Sequence, residues 1–107
     1  MGLSTPSILD QRLPLFPLTT CAIHDRLTIA GLALGDLAQE YGTPLYLYDQ
    51  ATLDASVEDY YTNLAKFYPG SFGITYAGKA YLSLAMAQWT QRHDLHLDCT
   101  GAGEISV

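Results

Sequence analysis

Apolar positions along the chain change their spacing several times, and each change marks an element. Residues 1–20 carry Pro6, Pro14 and Pro17 with no sustained period and read as an extended or disordered arm. Two short apolar runs follow, Cys21-Ala22-Ile23 and Leu27-Thr28-Ile29. With His24-Asp25-Arg26 between them they predict a small hairpin. Asp36, with Gln39 three residues on, predicts a capping box for a short helix whose apolar side is Leu37, Ala38 and Tyr41. Gly42 stops that helix, Thr43-Pro44 forces the chain to extend, and Leu45-Tyr46-Leu47-Tyr48 reads as a strand.

Asp49 is the next cap. Behind it Leu53, Val57, Tyr60, Tyr61 and Leu64 fall on one stripe of a long helix that Pro69-Gly70 ends. A strand is predicted over Phe72–Tyr76, with large residues on one face and Gly73, Thr75 and Ala77 on the other; Lys79 joins the small face if the extended run persists that far. Leu82, Ala85, Met86 and Trp89 make the stripe of a helix over about 80–92, and Leu95–Cys99 reads as a further strand. The alternation of strands with helices predicts an α/β fold with parallel pairing.

Composition narrows the functional classes. The 107 residues are 49% hydrophobic and 15% charged, which suits one small folded domain rather than a disordered chain. The net charge of −6 and the lack of any Lys/Arg run argue against nucleic acid or an anionic membrane as partner. The first ten residues carry no signal-peptide pattern, no apolar run is long enough to span a bilayer, and the two cysteines, Cys21 and Cys99, suggest no disulfide framework. A cytoplasmic protein with reduced thiols is expected.

Lys79 is the leading candidate for chemistry. It lies between Gly78 and Ala80 where a strand gives way to a helix, and in parallel α/β proteins the carboxyl ends of strands carry the reactive groups. A lysine amine there can form a Schiff base with a carbonyl cofactor; the plainer reading is a solvated lysine at a helix start. Asp98, at the end of a predicted strand, and Glu104, past a glycine turn, can order a cofactor site or serve as an ordinary cap and first-turn acid. Gly101-Ala102-Gly103-Glu104-Ile105-Ser106 fails as a dinucleotide fingerprint because Ser106 stands where the third glycine or alanine belongs. His93, His96 and Cys99 are spaced at threes but would not converge, so no metal site is expected.

Three stretches then resemble one family in order and spacing. Tyr76-Ala77-Gly78-Lys79-Ala80 resembles the lysine box of the fold-type III pyridoxal-phosphate decarboxylases. Leu97 to Ile105 resembles their next box, an Asp followed six residues later by Glu. Leu37 to Tyr46 resembles the opening of the diaminopimelate decarboxylase branch. Two departures stand out. Gly101 replaces a frequent serine, which removes one possible hydrogen bond near the site, and Cys99-Thr100 replaces two valines, a cysteine after the Asp being a trait of the ornithine/arginine branch.

The resemblance implies an (α/β)8 TIM barrel that binds pyridoxal 5′-phosphate, together with a second, β-rich domain to which the N-terminal segment contributes. In that layout residues 1–20 are the arm, 21–48 the β-domain contribution and linking helix, and 49–107 the first β/α units of the barrel. Lys79 would hold the cofactor, Asp98 and Glu104 would line its site, the substrate would be a small amino acid, meso-2,6-diaminopimelate, and the enzyme would be a homodimer. The stop at Val107, just after a glycine stretch, reads as the end of a fragment. The 107 residues alone are therefore expected to lack decarboxylase activity and to bind the cofactor weakly if at all. Another decarboxylase of the ornithine/arginine type, a racemase or cofactor carrier on the same barrel, or a non-catalytic relative that serves as a binding partner are the competing readings. Retention of Lys79 speaks against the last.

Overall fold

A computed structural model describes residues 8–107. The chain divides into two units, Met1–Asp59 and Tyr60–Val107, and the division falls inside one long helix.

The first unit is built on a three-stranded antiparallel meander of β1 (Cys21–Ile23), β2 (Arg26–Ile29) and β3 (Leu32–Ala33). The predicted hairpin is present, and sequence reading missed its third strand. Both connections have two residues, and all four are left-handed: His24 and Asp25 at φ 50° and 59°, Ala30 and Gly31 at φ 51° and 77°. Positive φ at both central residues is what a tight turn needs to match the right-handed twist of its strands. Thr28 on the central strand is buried, and its hydroxyl donates to the Cys21 carbonyl at 3.0 Å.

Three expectations for this unit are corrected. Within the arm read as extended or disordered, Ile8–Arg12 forms a helical turn, α1, and Leu13–Leu15 a 3-10 turn; the part of that reading on residues 1–7 lies outside the described residues. Asp36 does not cap α2 (Leu34–Tyr41). The cap position is three residues earlier, at Ala33, which makes no side-chain cap, and Asp36 stands in the first turn, paired with the Arg26 guanidinium. Leu45–Tyr48 has the composition of a strand but pairs with none among the described residues, and all four residues are exposed, because a strand exists only where a neighbour offers a ladder. Gly42 ends α2 as expected: it takes φ 83° and its amide returns to the Ala38 carbonyl at 2.9 Å.

Asp49 caps α3 (Gln50–Phe67) as predicted, its carboxylate accepting from the Thr52 amide. Its carboxylate accepts from the Thr52 hydroxyl at 2.5 Å, and that hydroxyl in turn accepts from the Leu18 amide at 2.8 Å. Thr19 also bonds to Asp49, while the Thr19 hydroxyl accepts from the Ala30 amide at 2.9 Å. One largely buried carboxylate thus joins the segment before β1, the second meander turn and the start of α3. These hydrogen bonds, Thr52 foremost and Thr19 after it, hold Asp49 below the usual carboxylate range against the opposing effect of burial.

The second unit contains a βαβ arrangement. β4 (Thr75–Ala77) and β5 (His96–Asp98) pair in parallel, with Thr75 opposite His96, Tyr76 opposite Leu97 and Ala77 opposite Asp98. Between them runs α4 (Leu84–Arg92), capped by Ser83, whose hydroxyl accepts from the Met86 amide at 3.2 Å. Parallel pairing across a helix is the geometry expected from the alternating pattern. Met86 and Trp89 are buried on α4, each worth about 1.5–3 kcal/mol on removal from water. Tyr76 meets the Trp89 ring edge-on at 6.2 Å, and His93 lies 4.9 Å from it on the next turn. Ala85 and, on α3, Tyr60 were placed on apolar stripes but are exposed. The Tyr61 hydroxyl donates to the His93 and Asp94 carbonyls at 3.1 Å each and so closes the end of α4. The unit ends in a single turn, α5 (Ala102–Ile105).

Candidate functional site

The two parallel strands end side by side, and the chemistry collects at those ends. β4 runs into a 3-10 turn, Gly78–Ala80, that holds Lys79. This corrects the sequence expectation in two respects. Lys79 is not part of an extended run, and the helix does not start at Ala80 but at Leu84, after Ser83. Ser83 supplies the hydroxyl that caps a helix, whereas Ala80 has nothing to offer the free amides. Lys79 is exposed and makes no hydrogen bond or ion pair among the described residues.

Gly78 is buried against the partner strand. A Cβ built on it would lie 2.7 Å from the Asp98 carbonyl oxygen, 3.1 Å from Glu104 Oε1 and 3.5 Å from Leu82 Cδ2. Only glycine leaves room for a backbone carbonyl at that distance. The residue preceding Lys79 therefore lies against the backbone carbonyl of Asp98 and the carboxylate of Glu104. Asp98 itself is exposed at the end of β5, opposite Ala77.

Glu104 has an asymmetric environment. Its Oε2 accepts from the Thr100 amide at 2.9 Å, the Thr100 hydroxyl at 2.8 Å and the Gly101 amide at 2.9 Å. Its Oε1 is buried with no partner among the described residues. The Thr100 hydroxyl, followed by the Thr100 and Gly101 amides, holds the carboxyl below the usual range although partial burial opposes them, so it is an anion at neutral pH. Thr100 is the residue that sequence reading missed; a hydroxyl four residues before a carboxylate, across a glycine turn, was the available signal.

Such a set fits a carbonyl cofactor on two observations. A primary amine stands unengaged just after the strand end, and an anionic oxygen against the preceding residue, Gly78, lacks the donor that a buried acceptor requires. Glycine at 78 lets the amine-bearing turn sit directly over those groups. His93, His96 and Cys99 belong to a helix end, a strand and the loop after it, and among the described residues no three metal-ligating side chains cluster.

No protein-family profile matches the chain. Among curated proteins it is 38% identical over 80 residues to the diaminopimelate decarboxylase of Corynebacterium efficiens, a match that covers 75% of this chain and 17% of that protein. It is 32% identical over 104 residues to the diaminopimelate decarboxylase of Synechocystis, covering 96% of this chain and 22% of that one. With the enzyme of the same name from Mycobacterium tuberculosis strain H37Rv the identity is 41% over 80 residues, or 74% of this chain and 17% of the other. The chain spans about a fifth of the length of the curated relatives it matches.

Proposed function

The chain belongs to the diaminopimelate decarboxylase family, and on that premise we propose that it forms part of a pyridoxal-phosphate-dependent decarboxylase that converts meso-2,6-diaminopimelate to L-lysine. The observation that carries this reading is the unengaged Lys79 amine in a turn at the carboxyl end of β4, next to Glu104 and the end of β5. Parallel α/β barrels present their reactive groups at that end of the strands.

In this reading β4, α4 and β5 are first β/α units of a TIM barrel that binds the cofactor, and the meander of the first unit belongs to a second, β-rich domain. The working enzyme is a cytoplasmic homodimer. Lys79 holds the cofactor through its amine, and Asp98 and Glu104 line the site. When bound, pyridoxal phosphate supplies an electron sink for the bond pair released as carbon dioxide leaves. The protein's own contribution is to fix and orient. Gly78 lets the Lys79 turn approach β5, Glu104 offers a fixed negative oxygen to a donor, and the Lys79 amine, once free, is placed to carry a proton.

Covalent capture tests the assignment. The chain has two lysines, Lys66 near the end of α3 and Lys79. Pyridoxal phosphate added to the protein and fixed by borohydride reduction should appear on the Lys79 peptide, and Lys79→Ala should abolish the adduct while Lys66→Ala keeps it. Labelling confined to Lys66 would overturn the assignment. Release of carbon dioxide from meso-2,6-diaminopimelate, against ornithine and arginine as controls, tests the reaction and substrate. The 107-residue chain alone should show no turnover.

A further inference from the structure

We propose that Thr100 is a positioning residue for the cofactor site, fixing Glu104 by one oxygen so that the other is presented beside the Lys79 turn. The proposal rests on the decarboxylase reading and adds a residue to it.

A glutamate carboxylate has about four acceptor positions over two oxygens. Here every donor converges on Oε2, two of the three coming from Thr100 and the third from the Gly101 amide. Backbone amides at 100 and 101 are sufficient to satisfy a carboxylate in the first turn of α5. The Thr100 hydroxyl is a third donor on the same oxygen, and each added hydrogen bond there opposes rotation of the carboxylate about its bond to the side chain.

With Oε2 held, Oε1 is left buried, without a partner, and 3.1 Å from where a Gly78 Cβ would be. An unpaired buried acceptor costs free energy, and a nearby donor normally claims it. None of the described residues does so, although the residue after Gly78 carries an amine. The geometry therefore leaves Oε1 for a donor that arrives with the cofactor or is turned towards it on cofactor binding. The depressed titration of Glu104, whose leading cause is the Thr100 hydroxyl, keeps the oxygen negative at the pH where it would act.

Thr100 is exposed, so replacing its hydroxyl by a methyl disturbs no packed core. The test uses the full chain and three variants, Thr100→Val, Thr100→Ser and Glu104→Gln, with folding checked by circular dichroism. Two quantities are read: the Glu104 titration midpoint in the cofactor-free protein, by carboxyl-13C NMR with the Glu104→Gln variant assigning the signal, and the pyridoxal-phosphate dissociation constant from its visible absorbance. Thr100→Val should raise the Glu104 midpoint and weaken cofactor binding roughly tenfold, the size expected for losing a hydrogen bond to a charged group. Thr100→Ser should restore both. An unchanged midpoint in Thr100→Val, or a raised midpoint with unchanged cofactor affinity, overturns the proposal, and so does failure of Thr100→Ser to restore. Borohydride capture of pyridoxal phosphate on Lys66 and not on Lys79 in the wild-type chain defeats the reading of Lys79 as the cofactor lysine, and that result is seen before any variant is compared.

Discussion

Adding one methyl group at Gly78 tests how the site and the sheet are joined. Its Cβ would stand 2.7 Å from the Asp98 carbonyl oxygen, several tenths of an ångström inside any ordinary contact. That oxygen belongs to the backbone of β5, whose residues 96–98 are paired with 75–77 just before Gly78, so no rotamer change can relieve the overlap. Relief requires the two strand ends to part. Forcing a methyl into a filled space costs about 1–3 kcal/mol. Gly78 is not in the left-handed region, so alanine also recovers about 0.4–1 kcal/mol by restricting the unfolded chain. Net destabilisation of about 1–2 kcal/mol is expected, or a fall of about 0.5–1 M in the urea midpoint for an ordinary denaturant slope. Trp89 is the chain's single tryptophan and is buried on α4 in the same unit, so its fluorescence reports this transition directly. Gly73→Ala is the control. There the Cβ meets only the His96 side chain, at 3.3 Å, which can move aside, and its midpoint should stay close to wild type. A Gly78→Ala midpoint at or above wild type, or a Gly73→Ala loss of equal size, would refute the reasoning.

Further outcomes follow from the packing and the charges. Trp89→Ala removes the largest buried side chain of α4 and should cost about 3–5 kcal/mol, read by circular dichroism because the fluorophore is lost. Glu104 and Asp49 both have folded-state titrations below the ordinary carboxylate value of about 4, so their contribution to stability is complete above that pH and is lost as pH falls through the depressed folded values. Unfolding midpoints should therefore be insensitive to these groups from pH 7 down to about 5 and decline below about 4. Asp49→Asn should flatten the acid limb for the first unit and leave the Trp89 signal of the second unaltered. Arg26 and Asp36 form an exposed pair, with 53% and 64% of their side-chain surface in solvent, so Asp36→Asn should leave the thermal midpoint within experimental error at 0.15 M salt.

What the sequence made legible was local. The meander's first hairpin, the Asp49 cap, the Gly42 stop and the Met86–Trp89 stripe each depend on a few neighbouring residues, and each is found in the structure. The failures share a cause in partners that spacing does not reveal. Leu45–Tyr48 alternates like a strand, yet no neighbour pairs with it among the described residues. Asp36 has the right residue type for a cap, but Arg26 lies across from it and takes its carboxylate. Lys79 follows a strand as its sequence position suggests, while the turn that holds it is set by Ser83 starting α4 late and by Gly78 meeting the Asp98 carbonyl. The loss of a serine hydroxyl at Gly101 reads from sequence as a missing hydrogen bond; in the fold Thr100 supplies a hydroxyl to Glu104 from one position earlier.

Gly78 and Lys79 are adjacent, yet they answer to different pressures over evolutionary time. Gly78 is held by the backbone of β5 and would be retained by any descendant that keeps the strand pair, whatever that descendant does. Lys79 projects from the surface with no hydrogen bond or ion pair among the described residues, so nothing in the architecture preserves it once the chemistry is abandoned. If Lys79 holds the cofactor as proposed, a relative that keeps the glycine and loses the lysine would keep the strand pair without the amine the proposed reaction needs.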